Sequence, residues 1–278
     1  MKRQAAGDGP VLIAAFEGWN DACHAASDVA RHLVKRYAGS EVREIAGDDF
    51  YDYQTARPIA CHATGRQRII WPHTTFYGID IMPGRRWYVQ IAPEPNYRWR
   101  EYCRRTLRIA DELDVNRIVT LGSMFADCPH TRALPVDVEE NGDQSSCDPD
   151  QRYSGPVGIP TILDDLAGEE GFDTTSLWVS IPQYLGDDGC DQAAMQLLER
   201  LSDLTGVPLD LGDLPSRADA WKAKASMLVR CNDALAEYVH RLEQEHDRDA
   251  KARQEASLDG PACEQLIREA ESFLKDLG

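Results

Sequence analysis

The sequence predicts an α/β protein with a mixed, mainly parallel central sheet flanked by helices, followed by a helical C-terminal extension. Three observations carry this. Short unbroken apolar runs, Val11–Phe16 and Ile118–Leu121, are those of strands covered on both faces. Each is followed by glycine and capping residues and then by a helical pattern or a polar loop. Beyond Gly212 only helical patterning remains. Such alternation is the mark of an α/β domain. The expected organisation is a mobile N-terminus over residues 1–9, an α/β core over 10–212 and a helical extension over 213–278.

Taken in order, the first strand runs Val11–Phe16 and breaks at Glu17-Gly18-Trp19-Asn20-Asp21. Gly18 permits a sharp turn, and Asn20 or Asp21 is placed to cap the next helix, expected over Ala22–Tyr37 and closed by Gly39. A strand follows over Glu41–Ala46, then a polar-aromatic loop, Asp48–Pro58, that contains Arg57. Segments Arg68–Trp71, Phe76–Ile81 and Arg86–Ile91, punctuated by Pro72-His73 and Pro83-Gly84, read as a hairpin or meander. Trp99–Leu113 has an apolar stripe of helical period through Trp99, Tyr102, Cys103, Thr106, Leu107, Ile109 and Ala110.

The central strand, Ile118–Leu121, is expected to break at Gly122-Ser123 and open into a loop carrying Asp127, His130 and Arg132. Strand ends of this kind are where open α/β sheets bind ligands. Val136–Glu139 alternates as an exposed strand, and Asp137–Asp150 holds six acids and no base, a solvated loop rather than a metal site. Tyr153–Pro160, with Ser154 and Gly155, opens a helix over Thr161–Glu169. A strand over Thr174–Ile181 and a helix over Ala193–Leu204 complete the core. Helices are expected over Leu214–Gln254, with a charged stretch at Glu243–Glu255 read as a solvated face or connector, and over Pro261–Leu277.

Composition excludes some functions. The chain of 278 residues carries a net charge of −17, with no basic stripe for a nucleic-acid backbone. The acid surplus serves solubility or an acidic docking face for a basic partner. No apolar run approaches the ~20 residues of a membrane helix, and the N-terminus has no signal-peptide pattern, so a cytoplasmic protein is expected. The eight cysteines are widely spaced without C-x-x-C, as in a reduced protein without zinc. No metal and no cofactor is expected.

No spacing names a reaction. The turn after the first strand lacks a phosphate-binding glycine pattern, and Glu17 and Asp21 put negative charge where a phosphate would sit. Ser123, Asp127 and His130 have the residue types of an acyl-transfer triad, but the nucleophile elbow G-x-S-x-G is missing. His130 and Arg132, with Arg57, are a candidate anion site, because arginine matches carboxylate or phosphate bidentately. The other reading is a structural loop that seals the sheet edge or joins subunits. Cys128 acts as a nucleophile only if its pKa is lowered.

Four motifs, F-E-G-W-N-D (16–21), L-G-S-M-F-A-D-C-P-H-T-R (121–132), Y-S-G-P-V-G-I (153–159) and S-L-W-V-S-I-P-Q-Y (176–184), occur in this order. Together they resemble the proteasome assembly chaperone family in its prokaryotic, actinobacterial-looking branch. The resemblance covers most of residues 10–275 and includes E-S-F-L at 271–274. It implies a phosphorylase/hydrolase-like α/β fold and a homo-oligomer, with a trimer as first guess. The family's eukaryotic relatives act without catalysis, as chaperones of proteasome ring assembly, and for the prokaryotic branch the resemblance carries no established activity or catalytic residues. Asn20, Cys128 and Ala133 stand where the family more often has glycine, valine and proline. The expected function is a homo-oligomeric binding or assembly protein with a possible protein partner. The alternative is a small-molecule enzyme or sensor that binds an anion in a phosphorylase-like crevice. The candidate pocket or interface comprises Gly18, Trp19, Asn20, Asp21, Arg57, Gly122, Ser123, Asp127, His130, Arg132, Ser154 and Gly155, with no catalytic residue assigned.

Overall fold

A computed structural model of the chain describes residues 9–62, 65–142 and 154–251. The expectations for the N-terminal eight residues, for most of the acidic run after Asn141, for Cys147 and Cys263, and for a helix over Pro261–Leu277 lie outside them. In chain order the elements are β1 (Val11–Glu17), α1 (Ala25–Arg36), β2 (Ser40–Ile45), β3 (Ile59–Cys61), β4 (Arg68–Ile70), β5 (Thr74–Met82), β6 (Arg85–Pro93) and α2 (Trp99–Glu112). Then come β7 (Arg117–Ala126), β8 (Val136–Glu140), α3 (Ile159–Glu169), β9 (Asp173–Pro182), α4 (Asp191–Thr205), α5 (Leu214–Arg230) and α6 (233–251).

Seven strands form one sheet in the order β2-β5-β6-β1-β7-β9-β8. The central four, β6, β1, β7 and β9, are parallel, and β5, β2 and β8 add antiparallel flanks. Side chains alternate between two cores. Ile13, Ala15, Val119, Leu121, Leu177 and Val179 face α1 and α4. Leu12, Ala14, Phe16 and Ile118 face α2 and α3. Both faces of the parallel strands are therefore dry, which is why their sequences are continuously apolar. β3 and β4 form a separate two-stranded sheet. Among the described residues no helix is long and apolar enough to cross a membrane.

The expected helix over Ala22–Tyr37 begins differently. A 3-10 turn occupies Ala22–His24, and Cys23 and His24 have φ of 53° and 57°, so the regular helix starts only at Ala25. At its other end Ala38, not Gly39, takes the left-handed conformation, with φ 48°. Gly39 is needed for space instead: a Cβ there would lie 2.8 Å from Ile79 Cγ2.

The expected break at Gly122-Ser123 does not occur. β7 runs unbroken from Arg117 to Ala126, paired to β9 throughout. Gly122 is there because the Trp178 ring of β9 lies across it, and a Cβ would come within 2.6 Å of that ring. A glycine inside a strand marks close approach as well as a turn. Substituting Gly122→Ala should therefore cost about 1–3 kcal/mol, the range for overpacking. Urea unfolding measures this, and Trp178→Ala in the same chain should recover part of the loss. An unchanged midpoint in the single variant would contradict the packing account.

Candidate functional site

The turn after β1 is fixed from three sides. Gly18 adopts φ 120°, and the Asp21 N–H bonds back to Gly18 O at 3.1 Å. Asn20 O accepts the Ser123 N–H (2.9 Å), and Ser123 Oγ donates to Ala22 O (2.8 Å). Asn20 Nδ2 donates to Glu94 Oε1 (2.7 Å), and the same oxygen accepts the Ile159 N–H at the start of α3 (3.0 Å). Asp21 Oδ1 accepts the N–H groups of Ala26 (2.9 Å) and Ser27 (3.1 Å). Asp21 thus caps α1 across the intervening 3-10 turn, satisfying donors that a helix start leaves open. Burial pushes the Asp21 carboxyl above its ordinary pKa, against the lowering effect of those bonds. Trp19, by contrast, is 66% exposed.

Beside this turn lies a groove of about 1110 Å³ between the C-terminal ends of β1 and β7, strand β8 and the start of α3. Gly18, Trp19, Met124, Phe125, Val157 and Trp178 line it, so it is largely apolar. Its floor is polar at Ser176, whose Oγ accepts the Trp178 Nε1–H at 2.9 Å. Behind Ser176, Thr120 Oγ1 donates to Asp164 Oδ2 at 2.6 Å. Burial raises the Asp164 pKa to about 8, which leaves this acid neutral at pH 7.

The loop after β7 is elsewhere. His130 is 1% exposed. Tyr184 Oη lies 2.8 Å from both its backbone N and its Nδ1, and Ser226 Oγ of α5 lies 3.0 Å from Nε2. Burial lowers the His130 pKa, opposed by Glu243. Thr131 Oγ1 donates to Glu243 Oε1 (2.5 Å), and Arg132 makes a bidentate bond to Asp247 through Nε (2.8 Å) and Nη2 (2.9 Å). Both acids belong to α6, so part of the charged stretch expected to be a solvated face or connector is an anchor. Asp127 accepts hydrogen bonds from Tyr238 of α6 and from Gln183. The C-terminal helices of the same chain thus bury His130 and pin the loop, leaving Asp127 and Thr131 exposed and a cleft of about 330 Å³ between the loop and α6.

The twelve candidate residues therefore divide. Gly18, Trp19 and Asp21 line the groove, with Asn20 and Ser123 buried behind them and Gly122 under Trp178. His130 is buried beneath α5, while exposed Asp127 and half-buried Arg132 are held at the surface by Tyr238 and Asp247 of α6. Arg57 is exposed just before β3, away from both, and Ser154 and Gly155 are exposed ahead of Val157. Ser123, Asp127 and His130 do not bond to one another, so no triad exists. Burial pushes the Cys128 thiol up to about 12, the reverse of activation. The six described cysteines are free, and no group of three or more metal-binding side chains converges among the described residues. Sequence reasoning missed Glu94, Tyr184, Ser226 and Tyr238. Glu94 left a signal as an acid between two prolines at a strand end, and Tyr184 as the last residue of the fourth motif; Ser226 and Tyr238 left none.

The architecture defines a class: a three-layer α/β protein whose conspicuous polar residues are engaged in holding its own elements together. Residues 15–229 match the PAC2 family model, and the chain belongs to that family. A PAC2 family protein from Streptomyces avermitilis is 36% identical with a TM-score of 0.75, over 83% of this chain and 99% of its own. A proteasome-assembly chaperone homologue from Mycobacterium tuberculosis is 34% identical with a TM-score of 0.75, over 82% and 99%. An archaeal proteasome activator from Pyrococcus furiosus shares the fold at 14% identity, with a TM-score of 0.62 over 83% and 96%. Among the curated proteins none matches.

Two pH effects follow. Held neutral by burial, His130 has a folded pKa below its unfolded value of about 6.5. Its contribution is complete above that value and is lost as the pH falls through the folded pKa. Between pH 7 and 5 the wild type should lose more stability in urea than His130→Gln, and parallel losses would contradict the burial. Asp164 has the opposite sign. Its folded pKa of about 8 exceeds the unfolded value of about 3.9, so stability is fully present below the latter and declines as the pH rises toward 8. Asp164→Asn should be more stable than wild type at pH 8, and a less stable variant would refute a neutral Asp164.

Proposed function

We propose that the chain is a non-enzymatic, homo-oligomeric binding and assembly protein of the cytoplasm, with proteasome subunits as the protein partner. The observation that carries the reading is the engagement of the residues suited to catalysis. His130, Arg132, Asp127 and Ser123 all hold elements of their own chain together. That leaves an anion-binding enzyme without its expected cluster of basic residues, because Arg132 already has a carboxylate, His130 has two hydroxyl partners and Arg57 is exposed away from both. The open features of the molecule are surfaces with apolar side chains, which suit protein contacts. The partner comes from the relatives, named as a proteasome-assembly chaperone homologue and an archaeal proteasome activator.

Native mass spectrometry of the protein with unassembled α-type and β-type proteasome subunits from the same source tests the proposal. The expected result is a defined complex with one subunit type that is absent from the finished ring. The opposing result is no complex with either subunit type, together with a melting shift on adding phosphate or a small carboxylate that Arg132→Ala abolishes. That outcome would return the protein to small-molecule binding.

A further inference from the structure

Among the described residues, eight of the twelve large apolar side chains that remain exposed fall on two surfaces. Trp19, Met124, Phe125 and Val157 belong to the groove beside the first turn. Ile59, Ile69, Ile70 and Trp71 belong to the β3–β4 hairpin, where Ile59 is 64% exposed. Such patches on a chain that is otherwise well buried mark interaction surfaces.

The two surfaces differ in charge. From Tyr53 to Ile79 the sequence contains no Asp or Glu, while Arg57, Arg66 and Arg68 supply positive charge. In a chain of net charge −17 this is a local reversal. None of the three arginines has an ion-pair partner among the described residues. Among the described residues the groove carries Asp21, Asp137, Glu139 and Asp187 against Arg200. One surface is apolar and basic and projects, while the other is apolar and acidic and is concave.

The hairpin also lacks support. β3 and β4 pair only with each other, and most of their residues are exposed. An isolated two-stranded hairpin is marginal in water. The hairpin leads into the start of β5, which runs antiparallel to β6, so it emerges at the C-terminal end of the parallel strands. The groove opens at that same end, across β6 from the hairpin, from the ends of β1 and β7 over β9 to β8.

We propose that the β3–β4 hairpin of one copy of this chain docks in the groove of a second copy. The contact is heterologous, because hairpin meets groove rather than itself. Repetition of a heterologous contact generates a ring when the rotation closes. The inference rests on the homo-oligomer in the functional reading above and is independent of the proteasome partner. Charge complementarity selects a second copy as occupant: the chain supplies both the basic apolar projection and the acidic apolar cleft.

A charge swap tests the contact, with mass measured by light scattering after size-exclusion chromatography. Arg66→Glu/Arg68→Glu alone, and Asp137→Arg/Glu139→Arg alone, should each weaken association by about a hundredfold, as like charges meet. The chain carrying all four substitutions should reassemble. Ile69→Ser/Ile70→Ser, at exposed positions, should also dissociate while circular dichroism stays unchanged, which keeps the test valid if a charge variant misfolds. An oligomeric wild type whose hairpin and groove variants associate equally well would overturn the hairpin–groove contact and leave the homo-oligomer standing. A swapped chain that stays dissociated while folded would do the same. A wild type at 31.1 kDa at every concentration would overturn both.

Discussion

The interaction on which the rest of the structure depends is the junction at Glu94. One carboxylate oxygen takes an N–H from the Asn20 amide and another from the backbone of Ile159. It thereby ties the end of β6 to the turn after β1 and to the start of α3. The same turn is bonded to β7 through Ser123, and its Asp21 caps α1. Three parallel strands and the first turns of two helices on opposite faces meet within a few residues. These groups are mostly buried, and a buried polar group without a partner costs about 1–3 kcal/mol, so they hold one another in a single arrangement. A Cβ at Gly158 would overlap the Asn20 amide, which keeps that position small.

A junction that engages Asn20 Nδ2, Asp21 Oδ1 and Glu94 Oε1, with Asn20 Oδ1 and Asp21 Oδ2 buried behind them without a hydrogen-bond partner among the described residues, leaves its mark on function. The F-E-G-W-N-D turn puts Asn20 and Asp21 inward and presents Trp19 outward on a rigid support. The loop after β7 is treated in a similar way, with His130 buried between Tyr184 and Ser226 and Arg132 held by α6. Both motifs build the platform, and the chemistry left over is that of surfaces. A groove rimmed by Trp19, Met124 and Phe125 and an exposed basic hairpin are surfaces whose apolar side chains suit contacts with other chains.

Much of the fold was legible because strands covered on both faces must be apolar and helices on a sheet must have a stripe. Val11–Phe16 and the Tyr102–Ala110 face show this directly. Gly122 was misread because a glycine in sequence does not say whether it supplies a turn or a space, and the Trp178 ring that decides the matter is 56 residues away. The site was less legible for the same reason. Asp127, His130 and Arg132 look alike whether they face a ligand or their own chain, and their partners Tyr184, Ser226, Tyr238 and Asp247 are all distant in sequence. The acid-free stretch from Tyr53 to Ile79 was visible as composition, but only the exposure of β3 and β4 gives it meaning.

The central claim is that the most reactive-looking loop is closed structure. Nuclear magnetic resonance of the imidazole of His130 tests this most directly. The account predicts a ring that titrates below the ordinary histidine value, as burial directs, and whose shifts do not respond to phosphate or acetate. A ring that titrates near 6.5 and shifts with either anion would show an open loop and would contradict the account.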